Sequence, residues 1–320
     1  MKAKIAVLVE PGKFELEERE LQITDFHQVM LKVEVCGLCN WELNHFKGAI
    51  SGYPMTLGHE YAGIVEAVGE KVTRFKPGDK ITVLPDVLAG FAEYAVIDES
   101  CCFKLADDAD VRYSFVEPLK CVVTVLRAAA PEVGDYGVIV GCGPMGLWCV
   151  QALAGKTLAG LIAIDVDDNK LSIAKKYGVT HVIKSRTKDA VEEIEKITNG
   201  HMADFCIEGT GIPTILDQCA DYLRVGRGRL CLMSYHETLA EKFNFRKFSD
   251  KGIIMLNPHP NYSADALEDC RRAVLLINNK IFTESDLISH TFRLDEIQKA
   301  FETLEHKPAG YIKGVVYPTS

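Results

Sequence analysis

No stretch of this chain approaches the roughly 18 apolar residues that a membrane-crossing helix needs. That absence argues against an integral membrane protein, and the composition, 48% hydrophobic and 25% charged, is ordinary for a water-facing globular chain. Basic tracts are missing too. Lys and Arg number 36 against 45 Asp and Glu, for a net charge of −9, which argues against nucleic acid or anionic membrane as the main partner. The first residues, Met1, Lys2, Ala3, Lys4, Ile5, Ala6 and Val7, lack the apolar region and cleavage site of a secretion signal. There is no disulfide framework either. The 11 cysteines are odd in number and scattered, and Cys142, Cys149, Cys206 and Cys231 lie in apolar runs. That pattern fits reduced, mostly buried thiols and predicts a cytoplasmic protein. No internal repeat and no low-complexity segment is present. At 320 residues the length allows about two domains, each able to bury its own core.

What is present is a concentration of metal-ligating side chains. Cys39, Glu42, His45, His59 and Glu60 fall within one short stretch, and soft and borderline donors gathered in this way suit zinc. The surrounding pattern is β. Ile5, Val7 and Val9 alternate before a turn at Pro11 and Gly12. Val29, Leu31, Val33 and Val35 form a period-two strand ending at Cys36 and Gly37, so Cys39 is expected on a loop at a strand end. Strands are expected at 62–69, 81–83 and 91–97, with turn chemistry at Pro77, Gly78 and Asp79. The first third therefore reads as a small barrel.

The pattern changes near residue 120. A helix at 122–129 precedes a short apolar run, Val138, Ile139 and Val140, of the kind found in strands buried on both faces. Helices and strands then alternate to residue 233, which predicts a parallel, doubly wound sheet. Residues 252–256 are positioned to add a last strand. Helices at 264–278 and 294–305 and a strand at 311–317 follow.

The apolar run enters Gly141, Cys142, Gly143, Pro144, Met145 and Gly146, and a helical pattern begins there. Asp165 ends the next strand, about 20 residues on, as a dinucleotide fingerprint requires. Gly141 allows the tight turn, Gly143 lets the backbone approach a pyrophosphate, and Gly146 lets helix and strand pack closely. The helix N-terminus offers free N–H groups to the phosphates. Asp165 would accept from both ribose hydroxyls and repel a 2′-phosphate. With Val166 next, rather than a basic residue, NAD is expected over NADP.

Taken together, these residues resemble the zinc-dependent medium-chain alcohol and polyol dehydrogenases over nearly the whole chain, closest to the sorbitol and threonine dehydrogenase branch. The motifs are Cys-Gly-Leu-Cys ending at Cys39, Gly58-His59-Glu60, Pro77-Gly78-Asp79, Glu117-Pro118-Leu119, the glycine fingerprint with Asp165, and Pro308-Ala309-Gly310-Tyr311-Ile312-Lys313. The resemblance implies an α/β Rossmann domain, residues 123–254, inserted in a GroES-like β-barrel catalytic domain formed by 1–122 and 255–320. It implies Cys39, His59 and Glu117 as zinc ligands, Glu60 as a carboxylate able to join the metal, and Glu42 as the carboxylate behind the histidine. It also implies Gly141, Gly143, Pro144, Met145, Gly146, Asp165 and Lys170 at the cofactor, with Lys313 on the pyrophosphate. A homodimer or homotetramer is expected.

Three departures from the family pattern stand out. The run from Leu84 to Gly90 lacks the four cysteines of the family's second, structural zinc, so one zinc is expected. Trp41 occupies the place of the hydroxyl residue that begins the family's proton relay, and Asn44 replaces the histidine that ends it. Glu60 or an ordered water is then the expected proton exit, with Trp41 at the substrate. His45 has no assigned role, and the stretch Asn257, Pro258, His259 and Pro260 fits a cleft lining, a subunit contact or a rigid loop equally. The implied activity is hydride transfer between NAD(H) and a small-molecule secondary alcohol or ketone, with a polyol or sugar-derived alcohol as the expected class. The alternatives are a zinc-free quinone- or enoyl-type reductase on the same fold, or a non-catalytic nucleotide-binding homologue.

Overall fold

The computed structural model describes residues 1–235, 243–258 and 260–320. His259, in the stretch left open above, lies outside the described residues. The chain divides into two compact units, Met1–Lys120 with Cys270–Ser320, and Cys121–Asp269.

Alternating apolar residues build the first unit as expected. β1 (Lys2–Glu10) and β2 (Lys13–Glu20) form an antiparallel hairpin, and β3 (Gln28–Gly37) buries Val29, Leu31, Val33 and Val35. After β3 come a seven-residue helix, α1 (Asn40–Phe46), and a two-residue strand, β4 (Met55–Thr56). β5 (Tyr61–Val68), β6 (Lys80–Val83), β7 (Tyr94–Asp98) and β8 (Cys102–Lys104) follow, and then α2 (Glu117–Ala129).

The second unit holds β9 (Tyr136–Val140), α3 (Pro144–Leu153), β10 (Gly160–Asp165), α4 (Asp168–Lys176), β11 (His181–Lys184) and α5 (Ala190–Ile197). It continues through β12 (Phe205–Glu208), α6 (Ile215–Tyr222), β13 (Arg229–Leu232), α7 (Phe245–Lys251) and β14 (Ile254–Leu256). The chain returns to the first unit within α8 (Ala266–Asn278), and ends in β15 (Ile288–Arg293), α9 (Ile297–His306) and β16 (Lys313–Tyr317).

The six strands of the second unit are all parallel, in the order β11-β10-β9-β12-β13-β14. This doubly wound order reverses direction beside β9, whose Val138, Ile139 and Val140 are buried. The re-entry expected at residue 255 falls later, at Cys270. Arg229 pairs with Ile254 and Cys231 with Leu256, so the parallel sheet claims these residues as its sixth strand.

The first unit carries a three-stranded sheet, β2-β1-β4, and a seven-stranded one in which β3 lies between β16 and β5 and also pairs with β7. Its core joins Leu31, Val33, Tyr61, Phe91 and Phe301. Helix α1 was not expected, because seven residues containing Asn, Trp and His carry little helix preference. It forms by packing: Phe46, its last residue, stacks on Phe14 with ring centroids 5.9 Å apart and lies 5.4 Å from the Phe301 ring on α9. Its first turn therefore stands where β3 ends, beside Cys39. No helix among the described residues is long and apolar enough to cross a membrane.

Candidate active site

Cys39 is the N-cap residue of α1, and its sulfur makes no capping bond. His59 and Glu60 follow the Gly58 turn and enter β5. Donor atoms of Cys39, His59 and Glu60 all lie within 4.8 Å of one another, the single such group of three or more among the described residues. Glu117, the first residue of α2, joins them through His59: its Oε2 lies 3.8 Å from His59 Nε2. The other ring nitrogen is committed. Glu42 Oε1 accepts from His59 Nδ1 at 2.8 Å and from the Gly58 N–H at 2.6 Å. A histidine fixed through one nitrogen by a carboxylate presents the other to a metal. A soft sulfur, an imidazole so fixed and carboxylate oxygens form a donor set that fits zinc.

Two buried lysines enter this cluster. Lys120, three residues after Glu117 on α2, donates to Glu117 Oε1 at 2.9 Å. Lys313, at the start of β16, donates to Glu60 and to the Leu38 carbonyl. Glu60 packs so tightly against Gly37 that a Cβ there would stand 2.1 Å from its Oε2. Burial opposes the charge on His59, but Glu42 and the Cys39 sulfur outweigh it and hold the imidazole well above its ordinary range. Burial likewise opposes ionisation of Glu117, while His59 and Lys120 pull its carboxyl below the usual range. For Glu60, burial wins over Lys313 and pushes the carboxyl up.

Trp41 stands at the rim, 42% exposed. Its ring meets His59 edge-on, centroids 5.4 Å apart at 88°, and meets His45 at 4.7 Å. Asn44 and His45 are buried. His45 is packed against Trp41, and burial lowers its proton affinity against the pull of the Glu42 carboxylate.

In the second unit, Gly143 caps α3 and Pro144 takes the first helical position, where its missing N–H costs nothing. A Cβ on Gly143 would meet nothing within 4 Å, whereas one on Gly146 would stand 2.0 Å from the Gly141 carbonyl. Open space above the helix start and close packing behind it form a cradle suited to a pyrophosphate. Met145, between them in the first turn, is half-buried. Asp165 Oδ2 accepts from Cys142 N at 2.6 Å, and its Oδ1 accepts from Val166 N and Asp167 N. The carboxylate thus sits against the glycine loop. Beside it a cavity of about 450 Å³ is lined by Val166, Asp167, Asp168, Asn169 and Arg186. Lys170 lies half-buried on α4.

Two family descriptions match the chain: an alcohol dehydrogenase GroES-like domain over residues 25–107, and a zinc-binding dehydrogenase domain over residues 144–264. The chain belongs to the zinc-dependent medium-chain dehydrogenase family. It is 28% identical to the (R,R)-butanediol dehydrogenase of Bacillus subtilis, covering 95% of this chain and 96% of that one. It is 26% identical to a sorbitol dehydrogenase of Halalkalibacterium halodurans, again covering 95% and 96%. The crystal structure of 2R,3R-butanediol dehydrogenase from Bacillus subtilis superposes with a TM-score of 0.84 at 25% identity, covering 99% of each chain. The fold is therefore that of a GroES-like domain with an inserted Rossmann domain, and the chain is an oxidoreductase.

Within this dehydrogenase fold, Cys39, His59 and Glu60 come together, Glu117 approaches them at His59, Glu42 lies behind His59 and Trp41 meets its edge. Lys313 has partners other than those expected. Its ammonium is engaged inside the first unit by Glu60 and Leu38. Sequence reasoning missed Lys120 and Arg186. A lysine three residues after Glu117 on one helix was a readable ion-pair signal. Nothing local marked Arg186, which follows β11 and lines the cavity beside Asp165.

Proposed function

We propose that this chain is a zinc- and NAD-dependent dehydrogenase of a small secondary alcohol or the matching ketone, with a polyol or diol as the substrate class. The observation that carries the reading is the Cys39–His59–Glu60 donor group with Glu117 beside it. One zinc held there would supply Lewis acidity to an alcohol oxygen, while the nicotinamide supplies the hydride acceptor. Cys39 Sγ and His59 Nε2 are two of its ligands, and Glu117 Oε2 is the third. Glu60, held by Lys313, is the carboxylate in reserve and the nearest proton acceptor. Glu42 keeps Nδ1 of His59 protonated, so that Nε2 carries the free lone pair. Trp41 narrows the approach to His59 and selects the substrate. Gly143 and the first turn of α3 bind the pyrophosphate, and Asp165 takes the ribose hydroxyls.

Two acidic residues, Asp167 and Asp168, line the cavity beside Asp165 against one Arg186, which supports NAD over NADP. None of the eleven cysteines is in a disulfide, in keeping with a reducing, cytoplasmic compartment. Strand β14 is the outer strand of its sheet, with Ile254 38% and Met255 41% exposed. Such an edge supports assembly as a homodimer or larger homo-oligomer.

The deciding experiment is a panel of vicinal diols, polyols and their ketones assayed with NAD+ or NADH, alongside elemental analysis and chelation. Turnover that is lost on chelation and restored by about one zinc per chain supports the reading. Activity indifferent to chelation returns the zinc-free reductase. NADH binding without turnover on any member of the panel returns the non-catalytic homologue.

A further inference from the structure

Lys120 is 5% exposed and sits in the first turn of α2. Both facts are unfavourable. Lysine is almost never this buried unless paired, and a cation at a helix N-terminus opposes the helix dipole. An aliphatic side chain would fill the same space at no electrostatic cost. What the lysine gains there is Glu117, whose Oε1 accepts from its ammonium at 2.9 Å. That pairing occupies one oxygen, and Oε2 lies 3.8 Å from His59 Nε2. The second carboxylate of the cluster repeats the arrangement, since Glu60 is paired with the buried Lys313. Each anionic carboxylate in the donor cluster thus has its own ammonium group within the protein.

We propose that Lys120 is the internal counter-ion of the metal site. It turns Glu117 so that one oxygen faces the donor cluster, and it opposes the charge of a divalent cation there. Zinc is consequently held less tightly than the same donors would hold it alone, and the metal-free site is stabilised. Lys120 is a positioning residue; it acts through Glu117, and the inference rests on Glu117 being a ligand.

The physical direction is set by charge. Without Lys120, the metal-free cluster keeps its anionic donors with one cation fewer, and the folded apoprotein is destabilised. An incoming dication then meets less repulsion and a freer carboxylate. Replacement by arginine keeps the charge. Replacement by glutamine keeps a hydrogen-bond donor but removes the charge, and methionine removes both while keeping the volume.

The test measures zinc affinity by competition with a chromophoric chelator, on full-length protein, with thermal melting of the metal-free forms. Lys120→Met and Lys120→Gln are expected to bind zinc at least about tenfold more tightly than the parent. Their metal-free forms are expected to melt lower, and Lys120→Arg to stay within about threefold of the parent. Equal or weaker zinc binding by both neutral variants, with native circular dichroism, overturns the proposal. Glu117→Gln separates this from the ligand assignment. If Glu117→Gln alone leaves zinc affinity unchanged, Glu117 is not a ligand and the reading under the proposed function falls with it. If Glu117→Gln weakens zinc binding and Lys120→Met then adds less than about a threefold change in that background, the route through Glu117 stands. A full tenfold gain persisting without the carboxylate overturns that route while leaving the ligand assignment intact.

Discussion

The Lys313 ammonium donates to the Glu60 carboxylate with Lys313 5% and Glu60 2% exposed. The pair joins β16 to the start of β5, residues far apart in the chain, inside an apolar unit. Breaking such a pair from one side leaves a buried charge without a partner. Lys313→Met is expected to lose about 3–5 kcal/mol of stability in urea unfolding. Adding Glu60→Gln should recover most of the loss, because the stranded carboxylate is then neutral. A Lys313→Met variant as stable as the parent would show that the pair contributes little.

Glu42 serves two donors with one oxygen, the Gly58 N–H and His59 Nδ1. Glu42→Ala frees the imidazole to rotate and leaves the Gly58 N–H buried. Zinc affinity should fall about 10- to 100-fold, with the same donor residues still present. Chelator competition reads this directly, and an unchanged affinity would remove Glu42 from its supporting role.

Glu284 is 1% exposed; its Oε2 accepts from the Phe115 N–H at 3.4 Å, and its Oε1 has no partner. Burial pushes its carboxyl well above the usual range, with Lys313 pulling weakly the other way. The folded chain therefore binds this proton more tightly than the unfolded chain. Its cost to stability is absent below the ordinary carboxylate pKa and grows as pH rises above it. Glu284→Gln should melt a few °C above the parent at pH 8, and the gap should close as pH falls toward about 4.5. A gap independent of pH would mean that the gain comes from packing and not from charge.

Asp165 holds the glycine loop through one backbone N–H, that of Cys142, and also accepts from the N–H groups of Val166 and Asp167 that follow it. Asp165→Asn loses the charge and turns an amide against one of those donors. The kcat/KM with NADH should drop at least about tenfold, and the preference for NADH over NADPH should narrow. Steady-state kinetics with both cofactors decides it; a parent enzyme that prefers NADPH would remove the argument from Asp165 altogether.

Much of this architecture is written in local pattern. The alternation of Val29, Leu31, Val33 and Val35 and the run from Gly137 to Gly146 each announce an element and its role, because their periodicity and glycine spacing are decided within a few residues. Cys39, His59 and Glu117 were singled out through motif resemblance; the structure adds that donor atoms of Cys39, His59 and Glu60 lie within 4.8 Å of one another and that Glu117 lies 3.8 Å from His59. Features that depend on distant partners were not legible. Nothing near Lys313 in sequence points to Glu60, and β16 must lie against β3 before the two can meet. Helix α1 has weak intrinsic preference and exists because Phe46 packs on Phe14 and Phe301. The return to the first unit was placed too early although the strand at 252–256 was expected, because the residues from 257 to Asp269, into the first turn of α8, stay with the second unit through contacts that no local pattern announces. Arg186 and Glu284 are invisible for the same reason: burial and cavity lining are properties of the folded chain.

The pairing of Val315 with Gly37 and of Val316 with Cys36 has a bearing on the order of events during synthesis. The ribosome completes the whole of Cys121–Asp269 before Lys313 exists. A unit folding as it emerges can therefore finish its parallel sheet while the donor stretch from Cys39 to Glu60 still waits for a strand made much later. Until that strand docks, Glu60 has no ammonium partner. The first unit is thus the later of the two to be completed, with Gly37 and Cys36 lacking their β16 partners until the last residues are made.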